Sequence, residues 1–260
     1  MTDIDIGVAG MSKLSDKYFI LYEESNKIDI FEAGRPYRRA STVTIDGANP
    51  GDLRDIAACE VSRCVYVTDC GQMCIWRFDS NSENIASKFT TLNGIPRALS
   101  VTSNGRLLVI ERKHNRVYIL NKEGKVERFL EMPEDMHYIH HAVETSRDTL
   151  LVCHGNVDFR LHRVCELSIT GKDVIKSFGD KCDHGPANLS CPVYFTVNNN
   201  DQSVFVADSG NRRIQVLDKQ LILTLSLSTE AFNPTSLCYD AERQLLLVGS
   251  KSEGLKMIHL

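Results

Sequence analysis

The sequence predicts an all-β chain, a six-bladed β-propeller whose blades are four-stranded antiparallel sheets set in a ring. Three observations predict it. A unit of strand, polar turn and strand recurs six times, with first turn residues at 23, 69, 111, 154, 208 and 250. The intervals of 46, 42, 43, 54 and 42 residues average about 45, the period of a propeller blade. Further strand-like segments precede or follow most units, so a full repeat carries four strands.

The units follow in chain order. Residues 18–31 form the first, with β-branched and aromatic residues on both sides of Glu23–Asn26. Residues 64–79 are the second and 107–120 the third. A fourth begins at Leu150–His154 and a sixth at Leu245–Ser250. The fifth, residues 203–218, has the clearest turn, Ser209-Gly210-Asn211. Inner strands are expected ahead of these units at Asp55, Pro96, Pro192 and Pro234, because proline at a strand's first residue costs no ladder bond. Outer strands are expected behind them around 42–45, 85–89, 126–130, 174–178 and 221–225. The blades then span approximately 7–46, 52–92, 95–131, 137–180, 191–228 and 233–260 of a single domain. The long fourth interval reads as a loop insertion at 181–192. The sixth unit has no outer strand behind it. The extended segment Thr2–Ile6 is the expected donor, closing the ring and covering an edge that would otherwise invite aggregation.

Composition bounds the function classes. Hydrophobic residues make up 42% and charged residues 25% of 260, as in an ordinary globular domain. No apolar run approaches the roughly 18 residues of a membrane helix, and Met1–Asp5 lacks the features of a signal peptide. A cytoplasmic, monomeric domain with no membrane contact is expected. The nine cysteines are spread along the chain and read as reduced, mostly buried thiols. The net charge of −4 disfavours an unspecific nucleic-acid binder.

The segment Val206-Ala-Asp208-Ser-Gly-Asn211-Arg-Arg-Ile214 closely resembles the signature of NHL repeats. Asp69 with Cys74-Ile-Trp76-Arg77, His141-Ala-Val-Glu-Thr145 and Arg163-Val-Cys165 resemble NHL-like propellers of invertebrate animals. The resemblance spans essentially the whole chain and implies an NHL-type propeller. It is more distant to the tripartite-motif NHL proteins, and implies for the top face, where second-to-third-strand turns and blade connections open, a capacity to bind single-stranded RNA.

Two kinds of candidate residue stand out. Asp208, Asn211 and Arg213 read as a turn brace, since Asp and Asn cap tight turns and an arginine close behind pairs with the aspartate. Asp69, and Glu111 with Arg116, read the same way. On the top face, Arg54, Arg97, Arg112, Lys113, His114, Arg160 and Arg212 are the candidate partner-binding residues. They suit a protein partner, or single-stranded RNA as the alternative, although Asp52, Asp55, Glu111, Glu134, Asp135 and Asp158 dilute the charge.

Six of the eight histidines fall between 137 and 184. His140, His141, His154 and His184 are the weak metal candidates, for three converging imidazoles with an open position suit a catalytic zinc. A secreted propeller family, the peptidyl-amidoglycolate lyases, holds zinc in this way. No ligand spacing supports it here, and the gaps among Cys59, Cys64, Cys70 and Cys74 lack the paired pattern of a zinc ribbon. Cys182 and Cys191 bracket the long loop. Asn156 and Asn188 are the oxygen donors a central calcium would use, as in propeller lactonases. The expectation is therefore a non-catalytic recognition propeller without a cofactor, with a metal-dependent lyase or hydrolase as the further alternative.

Overall fold

The computed structural model describes residues 6–34, 37–80, 85–111, 113–155, 158, 161–179, 185, 188–230 and 232–260. Blade one comprises β1 (Val8–Leu14), β2 (Lys17–Tyr22), β3 (Lys27–Glu32) and β4 (Arg38–Thr44). Blade two comprises β5 (Leu53–Cys59), β6 (Cys64–Asp69), β7 (Cys74–Asp79) and β8 (Ser87–Thr91). Blade three comprises β9 (Pro96–Val101), β10 (Leu107–Glu111), β11 (Arg116–Leu120) and β12 (Val126–Glu131). Blade four comprises β13 (Ile139–Glu144), β14 (Thr149–His154), β15 (Arg163–Ser168) and β16 (Val174–Phe178). Blade five comprises β17 (Pro192–Val197), β18 (Val204–Asp208), β19 (Arg213–Leu217) and β20 (Leu223–Ser228). Blade six comprises β21 (Ser236–Asp240), β22 (Leu245–Ser250) and β23 (Gly254–His259). All neighbours pair antiparallel in sequence order, and each inner strand approaches the next, with β21 returning to β1. The chain is a six-bladed β-propeller.

Period-two alternation explains why each middle strand is apolar throughout. In β6, Val65 and Val67 pack towards blade one, while Cys64 and Tyr66 pack towards blade three. In β10, Leu107 and Val109 face back to blade two, and Leu108 and Ile110 face on to blade four. The pattern continues through Leu151 and Leu150 of β14, Val206 and Phe205 of β18, and Leu247 and Leu246 of β22. The outer strands touch only one neighbour and are largely exposed. The core is therefore six inter-blade layers. The eight cysteines among the described residues are free thiols, six of them buried in or beside these layers. No helix is long and apolar enough to cross a membrane.

The turn brace of blade five takes the expected form. The Asp208 carboxylate accepts bonds from the Ser190 amide at 2.6 Å, Asn211 Nδ2 at 2.8 Å and Arg213 Nε at 2.7 Å. Asp69 accepts from the Gln72 amide at 2.8 Å and from Trp76 Nε1 at 2.9 Å. The expected pair of Glu111 with Arg116 does not form. Glu111 takes the amides of Lys113 and His114 and the His114 ring, whereas Arg116 bonds Glu131, its direct cross-strand neighbour on β12, at 2.9 Å. Both carboxylates stand opposite Arg116 in a ladder, and the one that its own turn leaves unoccupied takes the guanidinium.

The seam between blades six and one carries the densest charge cluster. Asp240, at the end of β21, is buried and bonded by the Tyr18 hydroxyl, by Lys13 at 3.0 Å and by Arg243 at 3.1 Å. Arg243 also reaches Asp16 at 2.7 Å. Burial alone would raise the Asp240 pKa, but the bonds from Tyr18, Lys13 and Arg243 outweigh it and hold the carboxyl below its ordinary range. The apolar layer beside it joins Val8, Met11, Tyr18 and Ile20 to Cys238, Leu245, Leu247 and Leu255. The expected closing strand over 2–6 lies outside the described residues except for Ile6, whose side chain is exposed. The Gly7 carbonyl already accepts the Glu23 amide in the inner position, so a closing segment would have to turn within Ile6 and Gly7.

Two outcomes follow from the seam. A depressed carboxyl pKa contributes stability that is present above the unfolded value of about 4 and is lost as pH falls through the folded value. Asp240→Ala should cost about 3 kcal/mol at pH 7 and much less at pH 3, measured by urea unfolding at both. Closure by the N-terminal segment is a proposal with its own check. Removing residues 1–5 should lower the melting temperature or produce aggregates by light scattering, whereas an unchanged melting curve would leave β23 as a free edge.

Candidate functional site

The ladders break at the same place in five blades. The pairing of the inner strand with its neighbour shifts between Val8 and Gly10, between Leu53 and Ile56, at Pro96–Leu99, between Ile139 and His141, and between Pro192 and Tyr194. A bulge re-aims the residue it skips. The skipped residues include Ala9, Arg54, Arg97, His140 and Val193, and all five line one cavity at the top of the central channel. Thr235 stands in the corresponding place just before β21, its amide on the Gly249 carbonyl, and lines the same cavity. Each blade therefore delivers a residue at this position to the mouth. Three consecutive blades supply Arg54, Arg97 and His140, and the other three supply small or apolar residues.

The cavity has a volume of about 250 Å³ and is completed by Asp55, Ala98, Ile139, Tyr194 and Lys251. Arg54 donates its Nε to Cys70 Sγ at 3.3 Å and lies 3.8 Å from Glu23. Lys251, from the blade-six turn, lies 2.8 Å from the same Glu23 carboxylate. The Arg97 carbonyl accepts the Thr68 hydroxyl of blade two at 3.0 Å, which fixes the backbone that carries its side chain. His140 Nε2 sits 2.8 Å from the Gly155 carbonyl.

Below the mouth, Tyr194 and His141 stack with ring centroids 4.0 Å apart. Tyr194 touches both the mouth and a second cavity of about 580 Å³ lower in the channel, so the two rings stand between them. Asp55 is buried beside them, accepting the Leu99 amide at 2.9 Å and the Ile56 amide at 2.9 Å. Gly10 makes room for it, since a Cβ there would lie 2.8 Å from Asp55 Oδ1. Burial drives the Asp55 pKa up to about 7, against the opposing pull of those amides, the Tyr194 hydroxyl and the Lys251 charge. Burial takes His141 down to about 3, with the backbone of Leu99 and Phe195 opposing weakly, and neither ring nitrogen makes a hydrogen bond of ordinary geometry. The floor is thus neutral and aromatic at pH 6, beneath a basic rim.

Of the residues singled out from sequence, the structure brings Arg54, Arg97 and His140 together at the mouth. Lys113 and His114 lie exposed on the blade-three turn, and Arg212 lies exposed on the blade-five turn, held at φ 51°. Arg112, Arg160, His184, Asn156 and Cys182 lie outside the described residues. The histidines take separate partners. His141 stacks in the channel, while His154 Nε2 faces Cys165 Sγ at 3.8 Å within blade four. Burial takes His154 down to about 4. His162 Nδ1 accepts the Cys191 amide at 2.8 Å. Among the described residues no three His, Cys, Asp or Glu side chains converge as metal ligands. Sequence reasoning missed Lys251, Thr235 and Tyr194 as parts of the mouth. The signal for Thr235 lay in the repeat, where Pro234-Thr235 stands as Pro96-Arg97 and Pro192-Val193 do, whereas Tyr194 and Lys251 hold no such repeated position.

No protein-family model and no curated protein matches the chain. Among solved structures it is similar to Kuenenia stuttgartiensis hydrazine synthase, with a TM-score of 0.72, 11% identity, and coverage of 100% of this chain and 97% of that one. It is also similar to virginiamycin B lyase from Staphylococcus aureus, with a TM-score of 0.66 at 16% identity over 100% of this chain and 86% of that one. The WD40 β-propeller domain of Doa1 gives 0.66 at 10% identity over 97% and 92%. At these identities the likeness establishes the propeller fold alone.

The raised Asp55 pKa has a definite sign. Its contribution to stability is fully present below the unfolded value of about 4 and is lost as pH rises towards 7. Urea unfolding across pH 4–8 should therefore contain a decline that Asp55→Asn removes, and the carboxyl carbon of Asp55 should titrate near 7 by NMR. A titration near 4 would refute the assignment.

Proposed function

We propose that this chain is a non-catalytic recognition module of NHL type that binds a protein partner through its top face. The observation that carries this reading is the ring of six equivalent positions, one per blade, that converge on the mouth. Such an arrangement is a rigid binding surface, because five of the six side chains stand on inner strands flanked by the inner strands of the neighbouring blades, and Thr235 directly precedes the sixth. Its groups are binding groups. Guanidinium and ammonium side chains pair with carboxylates, and the small residues opposite leave room for apolar contact. The NHL-like signature at 206–214 supports the same placement of the working face, and a monomeric cytoplasmic domain accords with it.

RNA recognition would use the same basic rim. Glu23 between Arg54 and Lys251, and the net charge of −4, weigh towards a protein instead. The two are separated by panning a random peptide display library and a random single-stranded RNA pool against the purified chain at low salt. Peptides should be enriched, and their binding should be lost in Arg97→Ala, whose mouth lacks one cation. RNA retention that falls steeply with added salt, without peptide enrichment, would overturn the protein-partner reading.

A further inference from the structure

The mouth is asymmetric and small, and both features restrict what enters it. Arg54, Arg97 and His140 occupy a continuous arc over blades two to four, with Lys251 added from blade six. Ala9 and Val193 face them across the axis, with Thr235 between. The Tyr194–His141 stack lies between the mouth and the lower cavity, with Tyr194 lining both. A space of about 250 Å³ suits the end of an extended chain better than a folded element.

The chemistry of the rim selects that end. Two of its cations already take a carboxylate as partner, since Glu23 lies 2.8 Å from Lys251 and 3.8 Å from Arg54. Arg97 lines the cavity on the next blade, and its planar fork of donors matches a carboxylate in two parallel bonds. The small apolar residues opposite fit a short final side chain. Resting on the protein-recognition function above, we infer that the mouth is a carboxylate subsite that takes the free C-terminus of a partner chain, with its last side chain against Ala9 and Val193. Asp55 does not oppose it below neutral pH, because burial keeps that carboxyl protonated up to about 7.

Three fluorescein-labelled random tetrapeptide pools test this by anisotropy on the full chain at low salt. One pool has free C-terminal carboxylates, the second is C-terminally amidated, and the third is amidated with aspartate or glutamate at its final position. The free-acid pool should bind at least tenfold more tightly than either amidated pool. Arg97→Gln should weaken free-acid binding about tenfold in a chain that still unfolds cooperatively, and Arg54→Gln provides a second reading at the adjacent blade. Equal binding of the first two pools overturns the carboxylate subsite. Equal binding of the first and third assigns the site to acidic side chains and overturns the choice of a chain end. No binding by any pool overturns it as well. Enriched display peptides that bind regardless of amidation would leave partner recognition by the top face standing while this subsite falls, so the two failures are distinguishable.

Discussion

Everything in this propeller depends on middle strands that are buried on both faces at once. A strand such as β14 has Leu150 and Val152 on one side and Leu151 and Cys153 on the other, and each set needs a neighbouring blade to cover it. Each such side chain contributes about 1.5–3 kcal/mol only when that neighbour is present. No blade can bury its core alone, so the ring is stable as a whole or not at all. The seam where blade six meets blade one brings together segments far apart in the chain. There the apolar layer is reinforced by Asp240, whose carboxylate ties Lys13 and Tyr18 of blade one to Arg243 of blade six.

The ring also explains how a site can be built without disturbing the core. The bulges lie at the top of the inner strands, where the ladder is about to end, and the residues they release point into the channel instead of between blades. The six positions share a scaffold at the channel mouth. Three can carry cationic or imidazole side chains while three remain small, at no cost to the layers beneath. Two of the buried carboxylates behave oppositely. Asp240 meets two cations and is held ionised, whereas burial without a paired cation drives Asp55 towards its neutral form against the pull of its backbone amides.

Much of this was legible in the sequence, and what was not has a physical explanation. The repeat at about 45 residues, with its alternating strands, gives the blades because burial on two faces demands apolar residues at every position of the middle strand. The Asp208–Arg213 brace was legible because its partners are local. The partner of Arg116 was not, because Glu131 is adjacent only across the ladder between β11 and β12. The histidine cluster was crowded only along the chain. Where β13 shifts register, His140 and His141 part, one to the rim and the other to the stack with Tyr194. His154, on the next strand, turns between strands to Cys165. Sequence proximity in a β-propeller therefore says little about convergence, and equivalence within the repeat says much.

That equivalence is the stronger guide to function in this chain. Lining up the inner strands by their first residue places Ala9, Arg54, Arg97, His140 and Val193 in one register, Thr235 stands just ahead of β21, and the structure places all six around one cavity. A core position would show the same apolar type in all six blades, because each blade faces the same demand. This position does not, carrying two guanidinium groups, an imidazole, a hydroxyl and two small aliphatic side chains. The scaffold imposes no such variation, so these positions can change without disturbing the layers beneath. Under the proposed recognition function, a ligand meeting the cations of blades two to four and the small side chains of blades one and five would be polar at one point and apolar beside it.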